Sequence, residues 1–241
     1  MLENILNHER DVFLFLNSLQ SQFWNQFMWL FSGKIAWVPV AVLFIIILLY
    51  CNRQRWKEVL LIFAAIALVI TLCDQFASSF CKPFFARFRP THHPDFMNEV
   101  NIVFDYRGGL YGFISSHAAN AFGFATLTSM IFRNKFYTAT IFLWAVVNSY
   151  SRIYLGVHFI SDIVSGIVTG LFFGYMVYIT LAFFHSKLFP LKDYCPPDKL
   201  DKYYFFPREG ITVVTYIMVL TFIVIAAIST FYIMNIIDAV R

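Results

Sequence analysis

Residues 151–162 read Ser-Arg-Ile-Tyr-Leu-Gly-Val-His-Phe-Ile-Ser-Asp, and they open an apolar stretch that continues to residue 184. Charged side chains beside such a stretch are costly and are usually functional. His158 and Asp162 are four positions apart, so on a helix the two side chains would share one face. The carboxylate could then accept one ring N–H and leave the other nitrogen free as a nucleophile or base, with Arg152 nearby as a fork for an anion. A structural ion pair that closes a helix end is the alternative.

The composition indicates an integral membrane protein with an all-α fold. Hydrophobic residues make up 59% of the 241 positions and charged residues only 13%, whereas an average soluble domain carries about 25% charged residues. Six stretches are long enough to cross a bilayer, which takes roughly 20 apolar residues. They are residues 35–51, 59–81, 116–133, 136–151, 158–184 and 211–237. Because repeats and linkers are absent from the sequence, we expect residues 1–241 to form one domain, a transmembrane helical bundle.

A separate amphipathic helix is predicted over residues 12–31. Apolar side chains recur there at helical spacing, at Val12, Phe15, Leu19, Phe23, Phe27 and Leu30. Trp24 and Trp29 suit a membrane–water boundary, so we expect this helix to lie along the membrane surface. A polar first span is the alternative, and it would reverse the topology of the chain.

Positive charges predict which loops face the cytoplasm. Loops 52–58, 133–135 and 185–210 contain many of the basic residues, so the positive-inside rule places them in the cytoplasm and places both termini and loop 82–115 outside. The outer loops carry five basic residues as well, which weakens this prediction unless a site retains them: Lys82, Arg87, Arg89, Arg107 and Arg152. The basic residues are scattered and do not indicate a nucleic-acid partner.

The cysteines and small residues have structural interpretations. The cysteines have neither the spacing of a metal site nor that of a disulfide framework, and they are Cys51, Cys73, Cys81 and Cys195. Glycines follow Asp162 at four-residue steps and predict a close-packed helix face, at Gly166, Gly170 and Gly174. Asp74 lies inside the second predicted span, where it either supports a site from behind or pairs within the bundle.

Two further clusters flank the long loop before the third predicted span. In segment 82–90, Lys82 and Arg89 are seven positions apart and Pro90 ends regular structure, so both cations could turn toward one anion. A basic cluster beside lipid headgroups is the alternative. In segment 113–120, Ser115 is a candidate N-cap, and the free N–H groups behind it would favour an anion. His117 would then lie one turn inside the helix.

The predicted topology brings these three segments to the same side of the membrane. Cationic side chains, a helix N-terminus, two histidines and one carboxylate would converge there. This inventory fits phosphoryl transfer without a metal. Cations can neutralise the phosphate oxygens while one imidazole attacks and the other protonates the leaving oxygen.

The three segments resemble the motifs of the type 2 phosphatidic acid phosphatase (PAP2) superfamily, which are K-x6-R-P, P-S-G-H and S-R-x5-H-x3-D. Segments 82–90 and 151–162 fit the first and third motifs completely, whereas Ile114 and Ser116 replace the proline and glycine of the second. The resemblance covers residues 59–184. Because Ser116 has a Cβ where the family has none, the turn that cradles the phosphate could differ slightly.

The resemblance implies a role for each matching residue. His158 would be the nucleophile that forms a phosphohistidine, Asp162 would orient it, and His117 would be the general acid. The implied ligands of the phosphate are Lys82, Arg89, Ser115 and Arg152. The resemblance implies no cofactor and no metal.

The implied activity is that of a lipid phosphatase at the outer face of a bacterial inner membrane. The implied substrates are undecaprenyl diphosphate, phosphatidylglycerophosphate, phosphatidic acid and lipid A phosphates. A lipid phosphoryl transferase is a second interpretation, and a non-enzymatic transporter or scaffold that binds anionic lipid is a third. The third class predicts that a substitution of His158 alone leaves function intact.

Overall fold

The computed structural model describes residues 2–189 and 206–240, including the side chains of residues 8–189 and 206–235. In this part of the chain the regular structure is helical, and a single β-bridge pairs Phe88 with Tyr111. The α-helices are α1 (Leu2–Ser18), α2 (Gln22–Ser32), α3 (Lys34–Cys51), α4 (Trp56–Gln75), α5 (Lys82–Phe85), α6 (Ser116–Phe132), α7 (Lys135–Tyr154), α8 (Ile160–Leu188) and α9 (Ile211–Val240). A π-helical turn, Phe76–Cys81, joins α4 to α5. The all-α prediction is therefore confirmed.

Four helical segments in the described residues are long and apolar enough to cross a membrane. They are Lys34–Cys51, Arg53–Phe85, Ile160–Leu188 and Ile211–Asn235. Helices α6 and α7 coincide with the other two predicted spans, but α6 has only 17 residues and the end of α7 is polar, from Asn148 to Arg152. The protein is thus a helical membrane protein, and its six-span count stays a prediction.

Helices α6 and α8 pack against each other at backbone distance. A Cβ at Gly166 would lie 2.6 Å from the Ser115 carbonyl oxygen, and one at Gly170 would lie 2.4 Å from the Ala119 carbonyl oxygen. Since real Cβ atoms do not approach so closely, only glycine fits at these positions. The predicted close-packed face is confirmed, and it holds the first turn of α8 beside the first turn of α6.

The N-terminal region differs from the prediction. The single helix expected over residues 12–31 is two helices, α1 and α2, because the chain breaks at residues 19–21 and Ser21 caps α2 by accepting a hydrogen bond from the Trp24 N–H. Helix α1 also packs into the protein. Asn17 is fully buried, and its amide donates to the Tyr154 carbonyl (2.9 Å) while its oxygen accepts from the Asn101 N–H (2.8 Å).

The two ends of the bundle carry different chemistry. At one end, a buried group joins α4 to α8, because Glu58 contacts His185 Nε2 at 2.6 Å and accepts hydrogen bonds from Arg55. Loop 86–115 and the turn between α7 and α8 lie at the opposite end. The predicted topology likewise places loops 52–58 and 82–115 on opposite sides of the membrane. Residues 190–205 of the predicted cytoplasmic loop, including Cys195, lie outside the described residues, and the other three cysteines are free.

Candidate active site

The turn between α7 and α8 positions the third motif. Helix α7 continues to Tyr154, so that Arg152 is helical, and α8 begins only at Ile160. The expectation that His158 and Asp162 share one helix is therefore wrong. Asp162 lies in the first turn of α8 and accepts the Phe159 N–H at 3.0 Å, as a helix-capping carboxylate does. This cap places His158 just outside the helix, yet within reach of the same carboxylate.

His158 and Asp162 form a buried pair. His158 Nδ1 lies 3.2 Å from Asp162 Oδ2, and the two side chains are 1% and 0% exposed. An ionised carboxylate only accepts hydrogen bonds, so Nδ1 carries the proton and Nε2 presents its lone pair. Burial, followed by the positive charge of Arg89, lowers the pKa of His158 well below its ordinary value. The ring is therefore neutral and its Nε2 is available as a nucleophile.

Three cations surround this ring, and we call Lys82, Arg89 and Arg152 the cation cluster. Arg89 donates to the backbone carbonyls of Tyr111 and Val157, at 3.2 Å each, and its Nη1 lies 3.1 Å from His158 Nε2. Lys82 Nζ donates to the hydroxyls of Ser78 (3.2 Å) and Ser116 (3.3 Å).

Arg152, the third member of the cation cluster, is buried in α7. Its Nε donates to the Ser151 hydroxyl at 3.3 Å, and its guanidinium carbon lies 6.0 Å from the centre of the Tyr106 ring. Among the described residues, no carboxylate lies within ion-pair distance of any of the three cations. Buried or partly buried cations without a carboxylate favour an anionic ligand, and a phosphate has the geometry that arginine recognises.

The second motif joins the site at the start of α6. The N-cap prediction is confirmed, because the Ser115 hydroxyl accepts the Ala118 N–H at 3.4 Å. The Ser115 N–H donates to the Asp162 carbonyl at 3.0 Å, which ties the first turns of α6 and α8 together. His117 is the second residue of α6 and lies in its first turn, not one turn inside the helix, and Arg152, His158 and Arg89 act on it electrostatically there. All seven predicted site residues therefore come together, although the Ser115 hydroxyl is occupied by the cap.

The serine that departs from the second motif has a contact of its own. Ser116 stands where the family has glycine, and its hydroxyl accepts a hydrogen bond from Lys82. Asp74 is linked to the same lysine, because the Ser78 hydroxyl accepts from Lys82 and donates to Asp74 Oδ1 at 3.4 Å. Of the two interpretations of Asp74, the structure therefore favours support of the site from behind.

Loop 86–115 covers the buried pair. A Cβ at Gly112 would lie 3.0 Å from Asp162 Oδ2 and 3.5 Å from His158 Nδ1, so the loop backbone passes directly over the hydrogen bond between them. This close approach excludes a larger side chain and helps to keep water from the carboxylate. Only glycine permits it without a displacement of the loop.

Two site residues were missed by the sequence reasoning. Arg87 Nη1 donates to Asp162 Oδ1 at 2.9 Å, and Arg87 Nη2 donates to Glu9 Oε2 at 2.8 Å. Arg87 lies within the first motif at a position that the motif leaves open, and its charge among the outer basic residues was the available signal. Glu9 lies in α1, remote in sequence from every motif.

The acidic and histidine side chains do not gather into a metal site within residues 8–189 and 206–235. No group of three or more His, Cys, Asp or Glu side chains there is arranged to hold a metal ion. The positive charge at the site comes from the cation cluster instead.

The comparisons with known proteins agree with this geometry. Residues 61–186 match the PAP2 superfamily. The chain is 49% identical over 186 residues to a lipid A 4'-phosphatase of Porphyromonas gingivalis, and the alignment covers 77% of this chain and 78% of the relative. It is 41% identical over 179 residues to a lipid A 4'-phosphatase of Bacteroides thetaiotaomicron, and that alignment covers 74% of this chain and 79% of the relative.

A solved structure supports the fold. The crystal structure of a transmembrane PAP2-type phosphatidylglycerolphosphate phosphatase from Bacillus subtilis aligns with a TM-score of 0.56 and 17% identity, over 78% of this chain and 89% of that chain. At this identity the likeness shows the fold alone. Together with the family match and the two relatives, it leads to one conclusion: the chain belongs to the PAP2 superfamily and is a membrane lipid phosphatase.

Proposed function

We propose that this phosphatase removes a phosphate from lipid A, and that the 4'-phosphate is the group it removes. One observation carries the chemistry: His158 Nε2, the ring nitrogen that faces away from Asp162, contacts Arg89, one of three cations that have no carboxylate partner among the described residues. The identity of 49% to one lipid A 4'-phosphatase and of 41% to another supports the choice of lipid.

The first chemical step follows from the positions of the two histidines. His158 Nε2 attacks the phosphorus, a P–N bond forms, and the P–O bond to the sugar breaks. The cation cluster binds the non-bridging oxygens, where negative charge is concentrated during transfer. Protonated His117 gives its proton to the leaving sugar oxygen. Asp162 accepts the Nδ1–H of His158 and stabilises the positive charge that develops on the ring.

The second step regenerates the enzyme. Water attacks the phosphorus of the phosphohistidine, and neutral His117 removes a proton from that water. The P–N bond breaks, its electron pair returns to Nε2, and inorganic phosphate leaves. A lipid hydroxyl in place of water would give a transferase, so phosphate release separates the two activities.

The site would lie at the outer face of a bacterial inner membrane, open to the periplasm. The concentration of positive charge on loop 52–58 and on residues 185–210 supports this orientation. Lipid A would reach the site from the outer leaflet. Residues 1–241 would form a single domain, and the proposed site residues lie within it.

The proposal is tested with purified protein in detergent and four substrates at equal concentration. These are bisphosphorylated lipid A, phosphatidylglycerophosphate, phosphatidic acid and undecaprenyl diphosphate, and His158→Ala is the control. We expect phosphate release to be fastest from lipid A, with a product that mass spectrometry shows to retain only the 1-phosphate. Faster release from another lipid would overturn the choice of substrate, and loss of the 1-phosphate would overturn the regiochemistry.

A further inference from the structure

A line of alternating charges connects α1 to the proposed nucleophile. It runs from Glu9 to Arg87, from Arg87 to Asp162, and from Asp162 to His158. We propose that Arg87 is a positioning residue for His158, acting through Asp162, and that Glu9 of α1 holds Arg87 in place. This inference rests on the proposed function, because it requires His158 to be the nucleophile.

The two oxygens of Asp162 have separate partners. Oδ2 accepts His158 Nδ1 and the Phe159 N–H, at 3.2 and 3.0 Å, whereas Oδ1 accepts Arg87 Nη1 at 2.9 Å. Donors on both oxygens fix the plane of the carboxylate and therefore the direction in which it holds the imidazole. Without Arg87, Oδ1 would be a buried charged oxygen that has lost its ionic partner, and such a group rotates or takes up a proton.

Arg87 is itself fixed on several sides. Its Nη2 donates to Glu9 Oε2 at 2.8 Å, its Nη1 also donates to the Ser161 hydroxyl, and its guanidinium carbon lies 4.4 Å from the centre of the Phe159 ring. The planar guanidinium can make all these contacts at once because its donors form a rigid fork. Its orientation is therefore set before any substrate binds.

Glu9 joins α1 to the first turn of α8. Its Oε1 accepts the Ser161 N–H at 2.8 Å, while Oε2 accepts from Arg87. A carboxylate at a helix N-terminus is favoured by the helix dipole, so this contact supports the start of α8 as well as the arginine. Phe13 of α1 packs on Phe159, with ring centres 5.4 Å apart, in the same region. The position of α1 is thereby transmitted to Asp162.

Arg87 and Arg89 have different partners although only one residue separates them. Arg87 is bound by two carboxylates, those of Glu9 and Asp162, which leaves it little capacity for an anion. Arg89 has no carboxylate partner among the described residues, and its Nη1 faces His158 Nε2. We therefore expect loss of Arg87 to reduce kcat through the nucleophile, and loss of Arg89 to reduce anion binding.

The experiment compares steady-state phosphate release by Arg87→Ala, Arg87→Lys and Glu9→Gln with that of the wild-type protein. Partners that orient metal ligands commonly contribute about 10- to 100-fold to activity, and we expect a similar contribution from partners that orient a nucleophile. Arg87→Ala should therefore lower kcat about 100-fold and Glu9→Gln about 10-fold, with KM nearly unchanged. Arg87→Lys keeps the charge but not the fork, so its kcat should lie between those of wild type and Arg87→Ala.

Two controls separate positioning from general damage. Arg10→Ala removes the neighbouring cation of α1, which pairs with Glu99 and not with the site, so its kcat should equal that of wild type. Inhibition by vanadate reports the anion site, and we expect its inhibition constant to rise in Arg89→Ala but not in Arg87→Ala. Because Arg87→Ala could fail to fold, Glu9→Gln, which preserves shape, provides a second test.

The outcomes distinguish this inference from the proposed function. If wild type and Arg10→Ala release phosphate and Glu9→Gln and Arg87→Lys have the wild-type kcat, the positioning role is wrong while the phosphatase proposal stands. If the inhibition constant of vanadate rises equally in Arg87→Ala and Arg89→Ala, Arg87 is an anion ligand and the inference is overturned. If wild-type protein releases no phosphate from any lipid of the panel, the proposed function itself fails.

Discussion

Arg89 Nη1 lies 3.1 Å from His158 Nε2, the ring nitrogen that faces away from Asp162. Because the neutral Nε2 is an acceptor, the guanidinium donates to it. On the proposed mechanism, a phosphate that enters the site would replace this hydrogen bond with one from Arg89 to a phosphate oxygen, and its phosphorus would then face the nitrogen. The cation that recognises the substrate therefore also aligns it with the attacking atom.

His158→Ala should abolish phosphate release while the protein remains folded and inserted. Removal of a nucleophile from a group of residues that act together costs roughly 10⁴-fold or more in rate. Initial rates on lipid A give the activity, and gel filtration together with thermal unfolding in detergent gives the folded state. Near-normal release by this variant would refute the phosphohistidine mechanism.

Asp162→Asn should be milder than His158→Ala. The nucleophile survives, but it loses the carboxylate that holds its Nδ1–H and balances the developing charge. We expect kcat to fall by roughly 10²- to 10⁴-fold, because the loss of a carboxylate that orients a catalytic imidazole costs up to about 10⁴-fold elsewhere. The rate is measured beside that of His158→Ala, and a wild-type rate would show that the pairing has no role in the reaction.

The pH dependence of kcat/KM should reflect the lowered pKa of His158. Burial and the adjacent Arg89 disfavour the protonated ring, so the neutral nucleophile persists as the pH falls through about 6.5, the ordinary value for histidine. The ionised fraction of the substrate is measured separately by ³¹P NMR titration, and kcat/KM at each pH is divided by it. The acid limb of this corrected profile should have its midpoint below that value. In Arg89→Ala the midpoint should move to higher pH, since a positive neighbour is lost; an unchanged midpoint would contradict this assignment.

A strong chelator should leave the activity unchanged, whereas vanadate should inhibit. Vanadate adopts the five-coordinate geometry of the transferring phosphoryl group and would bind the cation cluster. Arg152→Ala should raise its inhibition constant about 10- to 100-fold, because a hydrogen bond to a charged group contributes about 1.5–3 kcal/mol. Arg152→Lys should raise it less, since lysine keeps the charge but loses the fork. Loss of phosphate release in EDTA, followed by its recovery when magnesium is added, would refute the metal-free mechanism.

The topology is tested by cysteine labelling in a cysteine-free background. An impermeant thiol reagent applied to intact cells should label Asn98→Cys in loop 86–115, and it should label Lys57→Cys and Lys199→Cys only after the membrane is opened. Lys57 is exposed in the first turn of α4, at the opposite end of the bundle. Labelling of Lys57→Cys or Lys199→Cys in intact cells would overturn the orientation with the site outside.

The motif residues could be predicted from the sequence because each motif is local. Spacing within segments 82–90, 113–120 and 151–162 was enough to select His158, Asp162 and the cation cluster, and the long apolar runs were enough to assign α3, α4 and α6 to α9 but not α1, α2 and α5. The helix boundary at Ile160 was missed because Asp162 caps α8 through the Phe159 N–H. A periodicity of apolar residues carries no information on such a cap.

The ionic partners of the motifs could not be predicted. Glu9 and Arg87 are 78 positions apart in the chain and lie in different elements, α1 and loop 86–115. The same holds for Glu58 and His185, which are separated by 127 positions and meet at the opposite end of the bundle. Each is an ordinary polar residue in its own segment, and only tertiary packing makes it the partner of a buried charge.

The cation cluster has a consequence for the resting protein. Arg89 repels Lys82 and Arg152 electrostatically while no anion is bound. Like charges oppose the compact state, so an anion that bridges α5, α7 and loop 86–115 would hold the three segments together and raise the melting temperature once its concentration exceeds its dissociation constant. Inorganic phosphate, the product of the reaction, is such an anion. Departure of the product would therefore return the enzyme to its loosest state, in which the three cations face one another without an anion.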